Sequence, residues 1–175
     1  ATLAYTGGPW PYGYRGLGEA FVFAFFGLVA VVGTAYLQAL TVEPLFWWAA
    51  IPMGALITAI LVVNNLRDIP TDRAANKRTL AVTFGERFAR AEYLVLVAIA
   101  YAVPIKLAVV DQASWPVLLP LASAFLAVAP VRQVVGFADG QDRRSLNPVL
   151  RGTARLALVF GALFAIGLAL GATVA

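Results

Sequence analysis

Residues 45–72 read LFWWAAIPMGALITAILVVNNLRDIPTD, and the change of character inside this stretch decides the fold. From Leu45 to Val63 there is no charged side chain. A helix rising 1.5 Å per residue needs about 20 such residues to cross a hydrocarbon core about 30 Å thick. The run then ends abruptly in two amides, a cation and a carboxylate, Asn64-Asn65-Leu66-Arg67-Asp68. A membrane span that stops in this way places polar groups at the bilayer surface.

The same apolar length recurs along the chain. Spans are predicted at about Ala20 to Leu40, Leu45 to Val63, Tyr93 to Val110, Trp115 to Val135 and Leu156 to Val174, and none contains an acid. The composition agrees: 13% of residues are charged, against about 25% in soluble domains. The expected fold is an all-α polytopic bundle with a single transmembrane domain over residues 1–175. The opening from Ala1 to Glu19 reads as the interior of a longer protein, so the chain is expected to be a fragment.

The links Leu40 to Leu45 and Val110 to Trp115 are short, which makes two hairpins and puts the long connections on the opposite face. Arg15, Arg67, Arg73, Lys77, Arg78, Arg87, Arg90, Arg132, Arg143, Arg144, Arg151 and Arg155 fall on the long-connection side, and only Lys106 falls toward the other. This asymmetry predicts a multi-pass protein of the inner (plasma) membrane with cytoplasmic long loops and an outside C-terminus. Trp47, Trp48 and Trp115 lie at the far ends of their spans, as an aromatic belt requires. The net charge of +4 is thus a topology signal, and nucleic acid is not an expected partner. Lys106 and Arg132 are expected to snorkel to the headgroups, and Gly167 and Gly171 to pack helices inside the bundle.

There is no cysteine and no histidine, which excludes thiol chemistry, structural zinc and Ser-His or Cys-His catalysis by this chain alone. Chemistry must rest on carboxylates, amides, hydroxyls and cations. The connection from Asn64 to Glu92 is where these gather, and Leu66, Ile69, Leu80, Val82 and Phe84 among its charges predict short amphipathic helices over the mouth of the bundle. Asp68 and Asp72 are four apart, one turn of one helix face, and Pro70 is expected to mark the first turn of a new helix. Two hard carboxylates so placed suit Mg²⁺ shared with substrate phosphates. Asn64 and Asn65 can complete the metal shell or orient an acid, while Arg67, Arg73, Lys77 and Arg78 supply charge for a diphosphate. An ordinary salt-bridged loop remains the alternative. Upstream, Tyr5 to Glu19 is rich in turn residues and could form a lid, with Tyr12, Tyr14 and Arg15 either contacting substrate or, equally, the aromatics anchoring the segment at the membrane interface. Asp139 and Asp142 resemble the start of the CDP-alcohol phosphotransferase signature, but no acid follows Asp142, so a solvated loop is expected there.

The block Asn64-Asn65-Leu66-Arg67-Asp68-Ile69-Pro70-Thr71-Asp72, with Asn76-Lys77-Arg78-Thr79-Leu80-Ala81-Val82 and Gly85 after it, closely resembles the second aspartate-rich motif of UbiA-type membrane prenyltransferases. The branch it is most similar to prenylates 1,4-dihydroxy-2-naphthoate in menaquinone biosynthesis. Tyr14-Arg15-Gly16-Leu17-Gly18-Glu19, Phe25-Phe26-Gly27 and Gly33-Thr34 resemble the segment leading into that branch's fifth helix. The chain departs from the pattern at Asn76, where Gly is usual and a left-handed backbone must be tolerated, and at Thr83-Phe84-Gly85.

The resemblance implies helices five to nine of a nine-helix fold, without the first aspartate-rich motif, so that this chain alone would be inactive. It implies that Asp68 and Asp72 are catalytic and hold Mg²⁺ with Asn64 and Asn65. Arg67, Arg73, Lys77, Arg78, Tyr14 and Arg15 would bind the diphosphate of a polyprenyl diphosphate. Phe21, Phe23, Phe25 and Phe26 could shield an allylic cation, although aromatics on a membrane span more often pack or face lipid. The aromatic acceptor would be 1,4-dihydroxy-2-naphthoate, losing CO₂, with 4-hydroxybenzoate, homogentisate or a non-catalytic transporter or subunit as alternatives.

Overall fold

The computed structural model describes residues 12–138 and 140–172 and contains, among these, helices and turns but no strand. Five helices are long and apolar enough to cross a membrane, as predicted. α1 spans Gly18–Ala39, α2 Pro44–Arg67, and a short α3 Ile69–Ala74. α4 spans Leu80–Val109, α5 Trp115–Gly136 and α6 Asn147–Ala172.

α2 is the central element. It packs against α1, α4 and α6, and half of its apolar window is buried. Small residues let α1 approach it: a Cβ on Gly27 would lie 2.6 Å from the Gly54 Cα. Close backbone approach through small residues is how membrane helices gain contact where lipid supplies no hydrophobic drive. α1 carries a π-helical segment, Phe23–Val29, across this contact and ends at Leu40 in a left-handed conformation. Pro44, at the first turn of α2, then has no amide hydrogen to leave unpaired.

Two boundaries depart from the sequence expectation. The third span was expected from Tyr93, but α4 begins at Leu80, capped by Thr79, whose hydroxyl accepts from the Val82 amide. The last span was expected from Leu156, but α6 begins at Asn147. Glu86, Arg87, Arg90, Glu92, Arg151 and Arg155 interrupt hydropathy there without interrupting a helix, since Glu, Arg and Ala are good helix formers. The connection after Asn64 therefore shrinks to α3 and a loop at 75–79. Pro70 does sit in the first turn of a new helix, and Asn76 does take a left-handed backbone, φ 55°. Gly85, at φ 85° and ψ 177°, kinks α4 near its start.

α5 opens as a 3₁₀ helix, Trp115–Ser123, which contains Pro116 and Pro120, residues that cannot donate to an α-helical ladder. Gly167 of α6 packs directly on this segment, where a Cβ would fall 2.2 Å from the Pro116 oxygen, so it is an internal packing residue. One buried hydroxyl pair bridges α4 and α6. Thr153 donates to the Val149 carbonyl at 2.9 Å and so accepts from the Tyr93 hydroxyl, also at 2.9 Å. At the opposite end, Lys106 is pinned 3.8 Å over the Trp48 ring and bonded to Asp111 at 2.6 Å. Asp142 accepts from the Arg144 amide and caps the turn Arg143–Leu146, whereas Asp139 lies outside the described residues.

Candidate active site

The end of α2 projects Arg67 into a set of acceptors drawn from three elements. Its Nε and Nη2 donate to the two carboxylate oxygens of Asp68, each at 2.7 Å. Nη2 also donates to Asn64 Oδ1 at 2.7 Å, and Nη1 to Asn147 Oδ1 at 3.0 Å. A planar guanidinium can satisfy this fork and an ammonium cannot. Asp68 itself is the hinge between α2 and α3, with φ −95° and ψ 9°.

The Asp72 amide donates to the Asp68 carbonyl at 2.8 Å, which holds the second acid one turn beyond the first across the hinge. Asp72 is buried, and both its oxygens lie 3.3 Å from Lys77 Nζ. The two acids stand one helical turn apart in the backbone, and each has its own cation. Their chemistry is that of hard oxygen donors. Among the described residues no third acid, histidine or cysteine joins them in a metal-binding group. Two carboxylates suit an ion that completes its shell with phosphate and water.

Asn65 is bonded to an acid of α1. Its Nδ2 donates to Glu19 Oε1 at 2.8 Å, deep between α1 and α2. Asn65 Oδ1 and Glu19 Oε2 are buried without a hydrogen-bond partner among the described residues. Sequence reasoning did not single out Glu19 as a site residue. The signal was present, for Glu19 is the sole acid before Glu43 and sits at the start of a span.

The remaining cations divide between two clefts. Tyr14, Arg15 and Arg78 line one of about 790 Å³, together with Asn76, Leu80 and Phe84. The Arg78 amide donates to the Tyr14 carbonyl at 3.0 Å, and Gly16, at φ 71°, fits under the Arg78 carbonyl. The upstream segment is therefore fastened to the loop after α3. Its residues before Tyr12 lie outside the described residues, as does the Tyr12 side chain. Arg73 lines a different cleft, with Arg87, Arg90 and Arg143. Of the phenylalanines, Phe23 packs on Gly54, Phe21 stacks on Phe25 with centroids 6.0 Å apart, and Phe26 faces outward.

The sequence profile of the UbiA prenyltransferase family matches residues 1–150. The chain belongs to that family. It is 44% identical over 167 residues to a 1,4-dihydroxy-2-naphthoate octaprenyltransferase of Mycobacterium tuberculosis, covering 95% of this chain and 55% of that protein. The Escherichia coli protein of the same name is 38% identical over 172 residues, 96% of this chain and 54% of that one. UbiA prenyltransferase domain-containing protein 1 of Gallus gallus is 31% identical over 172 residues, 97% of this chain and 48% of that one. The chain spans about half the length of these relatives. With its five apolar helices, this UbiA-family chain is multi-pass membrane protein.

Proposed function

We propose that the protein containing this chain transfers a polyprenyl group from a polyprenyl diphosphate to 1,4-dihydroxy-2-naphthoate in the inner membrane, with loss of CO₂. The names of several relatives support the acceptor. The observation that carries the site is the pair Asp68 and Asp72, one turn apart at the end of an apolar helix, each balanced by a cation.

In this reading Asp68 and Asp72, with Asn64, would hold Mg²⁺ for the donor diphosphate. The bound metal would supply Lewis-acid stabilisation of the departing phosphate. Arg67 and Lys77 neutralise the acids before substrate arrives and turn part of their charge to the diphosphate as the allylic C–O bond breaks. The allylic cation is attacked by the electron-rich ring carbon that bears the carboxylate, and the carboxylate leaves as CO₂ with its bonding electrons returned to the ring. Asn147 keeps the Arg67 fork aimed while its other nitrogens exchange partners.

The test is prenyl transfer to 1,4-dihydroxy-2-naphthoate in detergent with Mg²⁺, using this chain joined to a homologous N-terminal half. Asp68→Asn is expected to abolish transfer. An indifferent Asp68→Asn would remove the diphosphate site, and preference for 4-hydroxybenzoate or homogentisate would change the acceptor.

A further inference from the structure

Four arginines from three separate elements line the second cleft, of about 410 Å³: Arg73 from α3, Arg87 and Arg90 from α4, and Arg143 from the turn before α6. Among the described residues Glu86 is the one acid on its wall, and it is paired with Arg143. Arg143 also donates to the Leu66 carbonyl at 2.7 Å, and Arg90 donates to the Phe137 carbonyl at 2.6 Å. These two guanidinium groups are fixed in place by backbone oxygens from elsewhere in the fold. Arg73 and Arg87 are exposed, and neither makes an ion pair with the described residues. The Asp68 and Asp72 carboxylates do not line this cleft.

We propose that this cleft binds a phosphate-bearing anion, foremost the headgroup of an acidic phospholipid. A cleft with four guanidinium groups and one carboxylate among the described residues has a strong excess of positive charge, and the guanidinium fork matches phosphate oxygens geometrically. The fold builds the cleft deliberately at the Gly85 kink, whose backbone suits glycine alone, so that Phe84, Glu86 and Arg87 meet α3. The lipid source is favoured by the rim. Phe84 is 61% exposed and Phe88 39%, their rings 5.0 Å apart, an apolar surface beside basic charge that suits the headgroup region. The cleft also lies at the basic end of the bundle, the end that faces the anionic leaflet in the orientation predicted by charge.

The test is native mass spectrometry of the full-length protein in neutral detergent, titrated with phosphatidylglycerol, with phosphatidylcholine, or with inorganic phosphate. The wild type should retain phosphatidylglycerol about tenfold more tightly than phosphatidylcholine, and Arg73→Gln with Arg87→Gln should erase that preference. Both residues are exposed, so the core is untouched, and Arg155→Gln removes the same kind of charge outside the cleft and should leave the preference intact. Displacement of the lipid by inorganic phosphate at similar concentration assigns the site to a free phosphate, and resistance to it assigns the site to a headgroup. Equal retention by wild type and the double variant, or equal loss in Arg155→Gln, overturns the proposal.

Discussion

Arg67 concentrates the chemistry of this end of the bundle, because one side chain fixes Asp68, Asn64 and Asn147 together. A neutral amide that orients a charged hydrogen bond contributes roughly 1.5–3 kcal/mol. Asn147→Ala should therefore lower kcat/KM for prenyl transfer about tenfold or more, and Asn147→Asp should disturb it differently by adding a competing charge. Steady-state kinetics of the joined protein would reveal this, and an unchanged kcat/KM would remove Asn147 from the positioning of Arg67. Asp68 and Asp72 were legible in sequence because their spacing and their place after an apolar run are local properties. The pairing of Asn65 with Glu19, 46 residues away, was not, since nothing near Asn65 distinguishes a metal-facing amide from one that turns into a helix contact.

At the scale of elements, helix contacts rest on a few small residues. Gly27 of α1 meets Gly54 of α2 so closely that a methyl group must displace backbone, whereas Gly33 in the same helix has nothing within 4 Å. Gly27→Ala should destabilise the bundle by about 1–3 kcal/mol. Gly33→Ala should be neutral or slightly stabilising, because alanine is the better helix former. Thermal unfolding in detergent separates the two, and equal melting temperatures would show that α1 is not held by this contact. Hydropathy located all five helices but misplaced the starts of α4 and α6, since charge ends an apolar run without ending a helix. The kink at Gly85 was invisible for a related reason: a glycine followed by Glu86 and Arg87 reads equally as loop or as helix.

For the whole molecule, basic side chains gather at the end where α2 finishes and α6 begins, and Lys106 is held at the other by Trp48 and Asp111. The orientation in the bilayer is open to direct test because the chain has no cysteine of its own. In intact cells, Asp111→Cys should react with an impermeant maleimide from outside, and Arg144→Cys should react only after the membrane is opened; the reverse pattern would overturn the cytoplasmic assignment. The sequence by itself determined the five apolar spans, the gathering of basic residues at one end and the four-residue spacing of Asp68 and Asp72, because length, hydropathy and spacing are properties of neighbouring residues. Only the tertiary structure decided which cation serves which acid, that Arg67 reaches Asn147 across 80 residues, and that Arg73 shares a cleft with Arg143 rather than with Arg78. Those choices depend on how closely helices pack and where they kink, and packing distance is set by residues far apart in the chain.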